Sequence, residues 1–225
     1  MIIGHRGAMG YETENTIASV EKALELGVDM IEIDVFRIDS GEIVVFHDER
    51  VERLTNGAGK VEEYNIFDLN KLQLEGGHGI PQLQEVLRAV KAQVPINIEL
   101  KGAGTAGRVD YITDYYVEKE GWRPEQFLIS SFNWDELRAY RELDPDARIA
   151  VLTDGDPLEA IEVAKELEAE AINPFAGMIS PEAVKTLHEE GFKVYVWTVN
   201  EPGQFRALKE MGVDGVFSDF PDRMR

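Results

Sequence analysis

The order in which short apolar runs and amphipathic stretches follow one another along the 225 residues limits the fold more than any other feature. β-rich runs fall at 2–5 (IIGH), 30–36 (MIEIDVF), 96–101 (INIELK) and 127–131 (FLISS), then at 148–152 (RIAVL), 170–174 (EAINP), 193–199 (KVYVWTV) and 214–218 (DGVFS). Helical patterns fill the intervals, at 14–26, 82–92, 108–120, 133–142, 156–168, 181–190 and 201–211. Glu14-Asn15-Thr16 and Ser180-Pro181 mark two helix starts, and Gly27, Gly191 and Gly212 mark three ends. Strands that alternate with helices predict a parallel sheet covered by helices. Eight of them is the number that closes a TIM (β/α)8 barrel. No linker-like stretch and no repeat divides the chain, so residues 1–225 read as one barrel domain. Its last helix is missing or reduced to Pro221–Arg225.

One segment breaks the alternation. Asp39-Ser40-Gly41 follows the second strand, and Ile43–Phe46 come next. A parallel return would need about a dozen connecting residues, so this is a β-hairpin with an antiparallel return strand. A turn near Ser40 sets residue 46 opposite residue 34, within one position, and carries His47 to the mouth of the second strand. Residues 50–80, with Gly57, Gly59, Gly76, Gly77 and Gly79, form a small insertion above the barrel. Its helical part is expected at 65–74.

Side chains alternate along a strand. Ile31, Ile33 and Val35 share one face of the second strand, and Glu32 and Asp34 share the other. On the next parallel strand Ile96, Ile98 and Leu100 oppose Asn97, Glu99 and Lys101. If the apolar faces pack on the helices, the acids point into the barrel, where unpaired carboxylates are costly. Glu32 and Asp34 lie roughly 6.5 Å apart along the strand, so both can lean toward one ion. With Glu99 they make an all-oxygen set, which suits Mg²⁺, Ca²⁺ or Mn²⁺ better than zinc or copper. The plainer reading is that they pair with Arg6 or Lys101, but one basic group does not neutralise three acids.

His5 ends the first strand, and barrel active sites lie at the C-terminal strand ends. His5 and His47 beside a metal suit acid–base work near neutral pH, with ligation of the metal as the alternative. His78 and His188 read as a loop residue and a helix-surface residue. Asp48 is a possible orienting partner and Glu49 a surface residue. Arg6 and Lys101 bring positive charge to the same place, which suits a phosphate group. Trp197 shares a face with Tyr195 and is either a wall for a substrate or part of the core.

Composition narrows the partners. The formal net charge of −20 repels nucleic acid and anionic membranes over much of the surface. No cysteine is present, which removes disulfides, thiolate chemistry and sulfur-ligated zinc, and fits a cytoplasmic location. No apolar run is long enough to span a bilayer, and residues 1–30 lack the pattern of a secretory leader.

The motifs HRG at 5–7, ENT at 14–16, EIDV at 32–35, HDE at 47–49, IELK at 98–101 and WTVN at 197–200 occur in the order found in the glycerophosphodiester phosphodiesterases. The insertion (HDERVERLTNGAGKVEEYNIFDL) and the ending (GVDGVFSDFPD) are similar to that family as well. Ser218 stands where threonine is common. The resemblance runs from residue 4 to about residue 222. It implies hydrolysis of a small glycerophosphodiester to sn-glycerol 3-phosphate and an alcohol. It implies one divalent cation, most simply Mg²⁺, on Glu32, Asp34 and Glu99, with His5 and His47 as the acid–base pair. Arg6 and Lys101 would contact the phosphate, and Trp197 the glycerol side of the substrate. The glycerol 2-hydroxyl would act as internal nucleophile. A lysophospholipase D activity is the nearest alternative. A more remote one is a nucleotide-binding oxidoreductase, because GAGTAG at 102–107 fits G-x-G-x-x-G. That strand carries Glu99 and Lys101 where a nucleotide-binding strand would be apolar, so the segment reads as a flexible loop at the barrel mouth.

Overall fold

The computed structural model describes residues Met1–Arg225. In chain order the strands are β1 (Ile2–Gly4), β2 (Met30–Arg37), β3 (Ile43–Val45), β4 (Ile96–Leu100), β5 (Phe127–Ser131), β6 (Arg148–Thr153), β7 (Ala171–Pro174), β8 (Lys193–Val196) and β9 (Gly215–Ser218). The helices are α1 (Ile17–Glu25), α2 (Ile66–Leu69), α3 (Leu83–Val90), α4 (Ala106–Lys119), α5 (Trp134–Leu143), α6 (Ile161–Glu166), α7 (Pro181–Glu189) and α8 (Pro202–Met211). Every strand but β3 joins a parallel ring that closes where β1 pairs with both β2 and β9. This is the expected TIM barrel. The antiparallel β3 is an extra strand that pairs with the C-terminal part of β2, on the edge that β1 pairs lower down.

The alternation of side chains builds two apolar layers. Ile31, Ile33, Val35, Ile96, Ile98 and Leu100 face outward and are buried under helical residues such as Val20, Leu83, Val86 and Leu87. Ile3, Met30, Leu128, Ala171, Tyr195 and Phe217 fill the barrel interior. The interior is therefore a packed floor, and the polar inward residues of β2 and β4 sit above it.

The β2–β3 hairpin pairs Val35 with Val45 and Phe36 with Val44, so residue 46 falls opposite residue 34 as expected. The Phe46 N–H donates to the Asp34 carbonyl at 3.0 Å. Ile43 and Val45 belong to the barrel core. Val44 and Phe46, on the other face, join Val51, Val61, Leu69, Leu74 and Ile80 in a second small core under the insertion. A slip by one residue would exchange the two cores, so the register is strongly fixed.

Some boundaries differ from the sequence reading. The helix expected at 65–74 is the single turn Ile66–Leu69, capped where Asn65 accepts from the Asp68 N–H. Beyond it the chain turns so that Leu72 and Leu74 reach the small core, and Gly76 and Gly77 hold φ near +80°. The expected helix 156–168 divides into a 3₁₀ turn, Pro157–Ala160, and α6. The terminal helix shrinks to one 3₁₀ turn, Pro221–Arg223. α1 begins at Ile17 rather than residue 14: Thr16 is its cap, and Asn15 is left-handed with φ 58°. Glu14 and Asn15 are thereby freed from the helix.

The GAGTAG segment is fastened rather than flexible. The buried Glu136 carboxylate accepts from the N–H groups of Gly104 at 2.6 Å, Thr105 at 3.0 Å and Ala106 at 3.0 Å, and from the Thr105 hydroxyl at 3.0 Å. These are the unpaired donors at the start of α4, where a dinucleotide fold would place a pyrophosphate. A protein carboxylate already fills that place. Glu136→Ala should leave several of these donors unsatisfied and lower unfolding stability by about 2–4 kcal/mol in urea titrations. A loss under about 0.5 kcal/mol would show that water serves them equally well.

Candidate active site

The polar side chains gather at the C-terminal ends of β1, β2 and β4. The turn that leaves β1 is tight: Arg6 has φ 51° and Gly7 has φ 85°. A Cβ at Gly7 would lie 2.5 Å from Ser19 atoms, so only glycine fits. The turn directs the Arg6 N–H onto Glu32 Oε2 at 2.8 Å and leaves Glu32 Oε1 buried without a partner. Asp34 accepts from the Asn15 amide at 2.9 Å and has Arg6 Nε at 3.3 Å and Lys101 Nζ at 3.8 Å. Lys101 Nζ donates to Glu99 Oε1 at 2.9 Å. Register pairs Asp34 with Glu99 across β2 and β4.

Glu32, Asp34 and Glu99 are all buried, and each offers an oxygen within 4.8 Å of the others. The two cations do not balance them. Burial, then the charges of Asp34 and Glu99, pushes the Glu32 carboxyl well above the carboxylate range. Burial and the Asp34 charge raise Glu99 to about 7. Burial also opposes ionisation of Asp34, but Arg6, His47, Lys101 and the Asn15 hydrogen bond outweigh it and hold that carboxyl low. An orphaned buried carboxylate oxygen beside two more acids is a donor set suited to a hard divalent cation.

The histidines approach from two sides. His5 Nδ1 lies 2.6 Å from Asp219 Oδ1, and Asn200 holds the other Asp219 oxygen at 2.7 Å. His47 Nδ1 lies 2.7 Å from Asp48 Oδ1, and its Nε2 is 3.3 Å from Lys101 Nζ. An ammonium only donates, so Nε2 accepts and Nδ1 carries the proton toward Asp48. Burial lowers the His47 pKa, and the charges of Arg6 and Lys101 add to that against the pull of Asp34 and Asp48. His5, Arg6, Glu32, His47, Glu99, Lys101 and Trp197 line one pocket with Ser130 and Phe132. Trp197 donates from its indole to the Asn173 carbonyl at 2.9 Å and meets the rings of Phe132 and Phe175 at 5.3 and 5.2 Å between centroids. All eight residues singled out in the sequence thus converge: seven line the pocket, and Asp34 lies just beneath it. His78 and His188 lie elsewhere, and His188 pairs with Asp214 at 2.9 Å.

The sequence reading missed Asp219, Asn15, Glu14 and Arg53. Asp219 continues the inward alternation of Gly215 and Phe217 one step past the strand, so period two held a signal for it. The sequence pattern places Glu14 and Asn15 at the start of a helix. Arg53 lies in the insertion, where no periodicity placed it.

The sequence matches the profile of the glycerophosphoryl diester phosphodiesterase family over residues 5–223. The chain belongs to that family. It is accordingly a phosphoric diester hydrolase. A glycerophosphodiester phosphodiesterase of Caldanaerobacter subterraneus is 34% identical over 236 residues, covering 100% of this chain and 96% of that protein. One of Bacillus altitudinis is also 34% identical, covering 99% and 95%. Among solved structures, an Oleispira antarctica phosphodiesterase in complex with its product sn-glycerol-3-phosphate superposes with a TM-score of 0.92 at 27% identity, covering 100% and 94%.

Two carboxyls raised by burial imply that the cation-free cluster keeps a proton near pH 6.5. Binding of a divalent ion should expel it. Calorimetry in two buffers of different ionisation enthalpy should detect proton release on ion binding, and Glu32→Gln should abolish the binding. Binding without proton release would place the ion elsewhere.

Proposed function

We propose that this hydrolase cleaves glycerophosphodiesters to sn-glycerol 3-phosphate and an alcohol, with His5 and His47 as the acid–base pair. The observation that carries the reading is two histidines, each backed by a carboxylate, facing a buried acid cluster flanked by Arg6 and Lys101. Glu32, Asp34 and Glu99 would hold one divalent cation, with Mg²⁺ the simplest choice and Mn²⁺ or Ca²⁺ as alternatives. When bound, the ion supplies charge stabilisation at the phosphoryl oxygens.

The chain's own groups account for the rest. Arg6 and Lys101 offset the phosphate charge. One histidine takes the proton of the glycerol 2-hydroxyl as that oxygen bonds to phosphorus. The other gives a proton to the departing alcohol as its P–O bond breaks. In the second half-reaction the roles exchange: the second histidine, now neutral, deprotonates the water that adds to the cyclic phosphate, and the proton held by the first passes to the glycerol 2-oxygen as its P–O bond breaks. Trp197, beside Phe132 and Phe175, forms an apolar wall for the glycerol side. The barrel and its insertion would act as one domain, and the cysteine-free composition supports a cytoplasmic setting. No helix is long and apolar enough to cross a membrane.

A panel of glycerophosphodiesters and lysophospholipids, each assayed with Mg²⁺, Mn²⁺ and Ca²⁺, tests the substrate class. Release of glycerol 3-phosphate from the diesters, abolished by excess chelator, is expected. Turnover of lysophospholipids alone would favour the lysophospholipase D alternative. His5→Ala and His47→Ala should each lower kcat by roughly 10²-fold or more. A near-normal rate in either variant removes that histidine from the acid–base pair.

A further inference from the structure

The insertion after β3 is tied to the site by one side chain. Arg53 closes the 3₁₀ turn Val51–Arg53. Its Nη1 and Nη2 donate to the two oxygens of Glu14, both at 2.8 Å. Its Nε and Nη2 donate to the two oxygens of Asp48 at 2.5 and 2.9 Å. Each of these carboxylates holds a second partner. Glu14, 6% exposed, takes Arg6 Nη1 at 2.7 Å. Asp48 faces His47 Nδ1 at 2.7 Å. A single guanidinium therefore bridges the supports of the phosphate-binding arginine and of one acid–base histidine.

We propose that Arg53 is a positioning residue for catalysis: it fixes Asp48 so that the His47 ring keeps its proton on Nδ1 and turns Nε2 into the pocket. This rests on the reading of His47 as half of the acid–base pair. Geometry sets Arg53 apart from a common surface ion pair. Such pairs contribute little because both partners are free to move. Here one partner is buried, both contacts are forked, and the planar guanidinium matches two carboxylates at once. Lysine is a single point of charge and would reach one oxygen of each at best. Backbone bonds tie Glu49 and Val51 to residues 59–61, but the Asp48 carboxylate itself is held only by His47 and Arg53. Hydrogen bonds from Arg53 head the causes that hold the Asp48 carboxyl down at about 2, so Asp48 stays an acceptor across the working pH range. Arg6 contacts Asp34 at 3.3 Å independently of Glu14 and Arg53, so removal of Arg53 should spare substrate binding.

Arg53→Ala should lower kcat by about 10-fold or more with KM changed less than about threefold, since a misplaced acid–base group loses rate rather than ground-state binding. Arg53→Lys should recover part of the loss, and added guanidinium ion should restore rate to Arg53→Ala. The decisive arm is a double-mutant cycle. In a His47→Ala background, Arg53→Ala should cost nothing further, because both act through one group. Arg50→Ala, which removes the exposed Arg50–Glu52 pair in the same turn, should leave the rate unchanged. A normal kcat in Arg53→Ala beside a crippled His47→Ala would overturn the positioning role and spare the acid–base reading. So would additive losses in the double variant. A near-normal His47→Ala would sink both. Should Arg53→Ala fail to fold, Arg53→Lys carries the same cycle.

Discussion

Three carboxylates buried within one another's reach are the constraint around which the rest of the structure is arranged. Nothing in the barrel's packing asks for them. The floor of Ile3, Met30, Leu128 and Phe217 would close as well with apolar residues in their place, and replacement of buried charge by apolar groups is often stabilising. The surrounding details make sense as responses to the cluster. The strained HRG turn aims a backbone N–H at Glu32, Asn15 leaves the helical conformation to reach Asp34, and Lys101 leans back to Glu99. Even so, Glu32 Oε1 stays unpaired. A site that keeps such an arrangement trades stability of the cation-free protein for affinity toward what completes it.

The hairpin solves a geometric problem for the barrel. Strands of a parallel ring deliver side chains at their own C-terminal ends and nowhere else. The acid–base role proposed for His47 requires it above β2, within reach of Lys101, whose Nζ lies 3.3 Å from its Nε2. The antiparallel β3 folds back along β2 and brings residue 47 there, and the two faces of the strand lock into two separate cores. The insertion is therefore less an ornament than the second half of the hairpin's clamp.

Most of the barrel was legible because its rules are local. Period-two alternation decided which residues of MIEIDVF and INIELK face inward, and that decided the acid cluster. What escaped depended on contacts between distant parts of the chain. Glu14 and Asn15 look like the start of a helix until Arg6 and Asp34 are seen to claim their side chains. The loop at 102–107 looks mobile until Glu136, thirty or so residues on, is found capping it. Leu72 and Leu74 look helical by composition, yet only their burial beside Val51 and Val61 explains the turn they make. Charge pattern alone gives no reason to prefer Arg53 over Arg50; the forked contacts of Arg53 to Glu14 and Asp48, against the exposed Arg50–Glu52 pair, separate them.

A chain with a net charge of −20 that takes an anionic substrate needs a local reversal of field. The fixed groups do not supply it. Around the pocket Glu14, Glu32, Asp34, Asp48, Glu99 and Asp219 stand against Arg6, Arg53 and Lys101. Six acids against three cations leave an excess of negative charge even after a proton has neutralised one carboxyl. In the proposed function, a divalent ion at the cluster would remove most of that excess where the phosphate would sit, and Arg6 and Lys101, released from part of their pairing with the acids, would become available to it. Cation and phosphodiester affinities would then be linked, each raising the other, because each lowers the repulsion the other meets. The surface charge can remain strongly acidic at no cost to this, since screening confines its influence to roughly 8–10 Å while the buried site is shielded from salt.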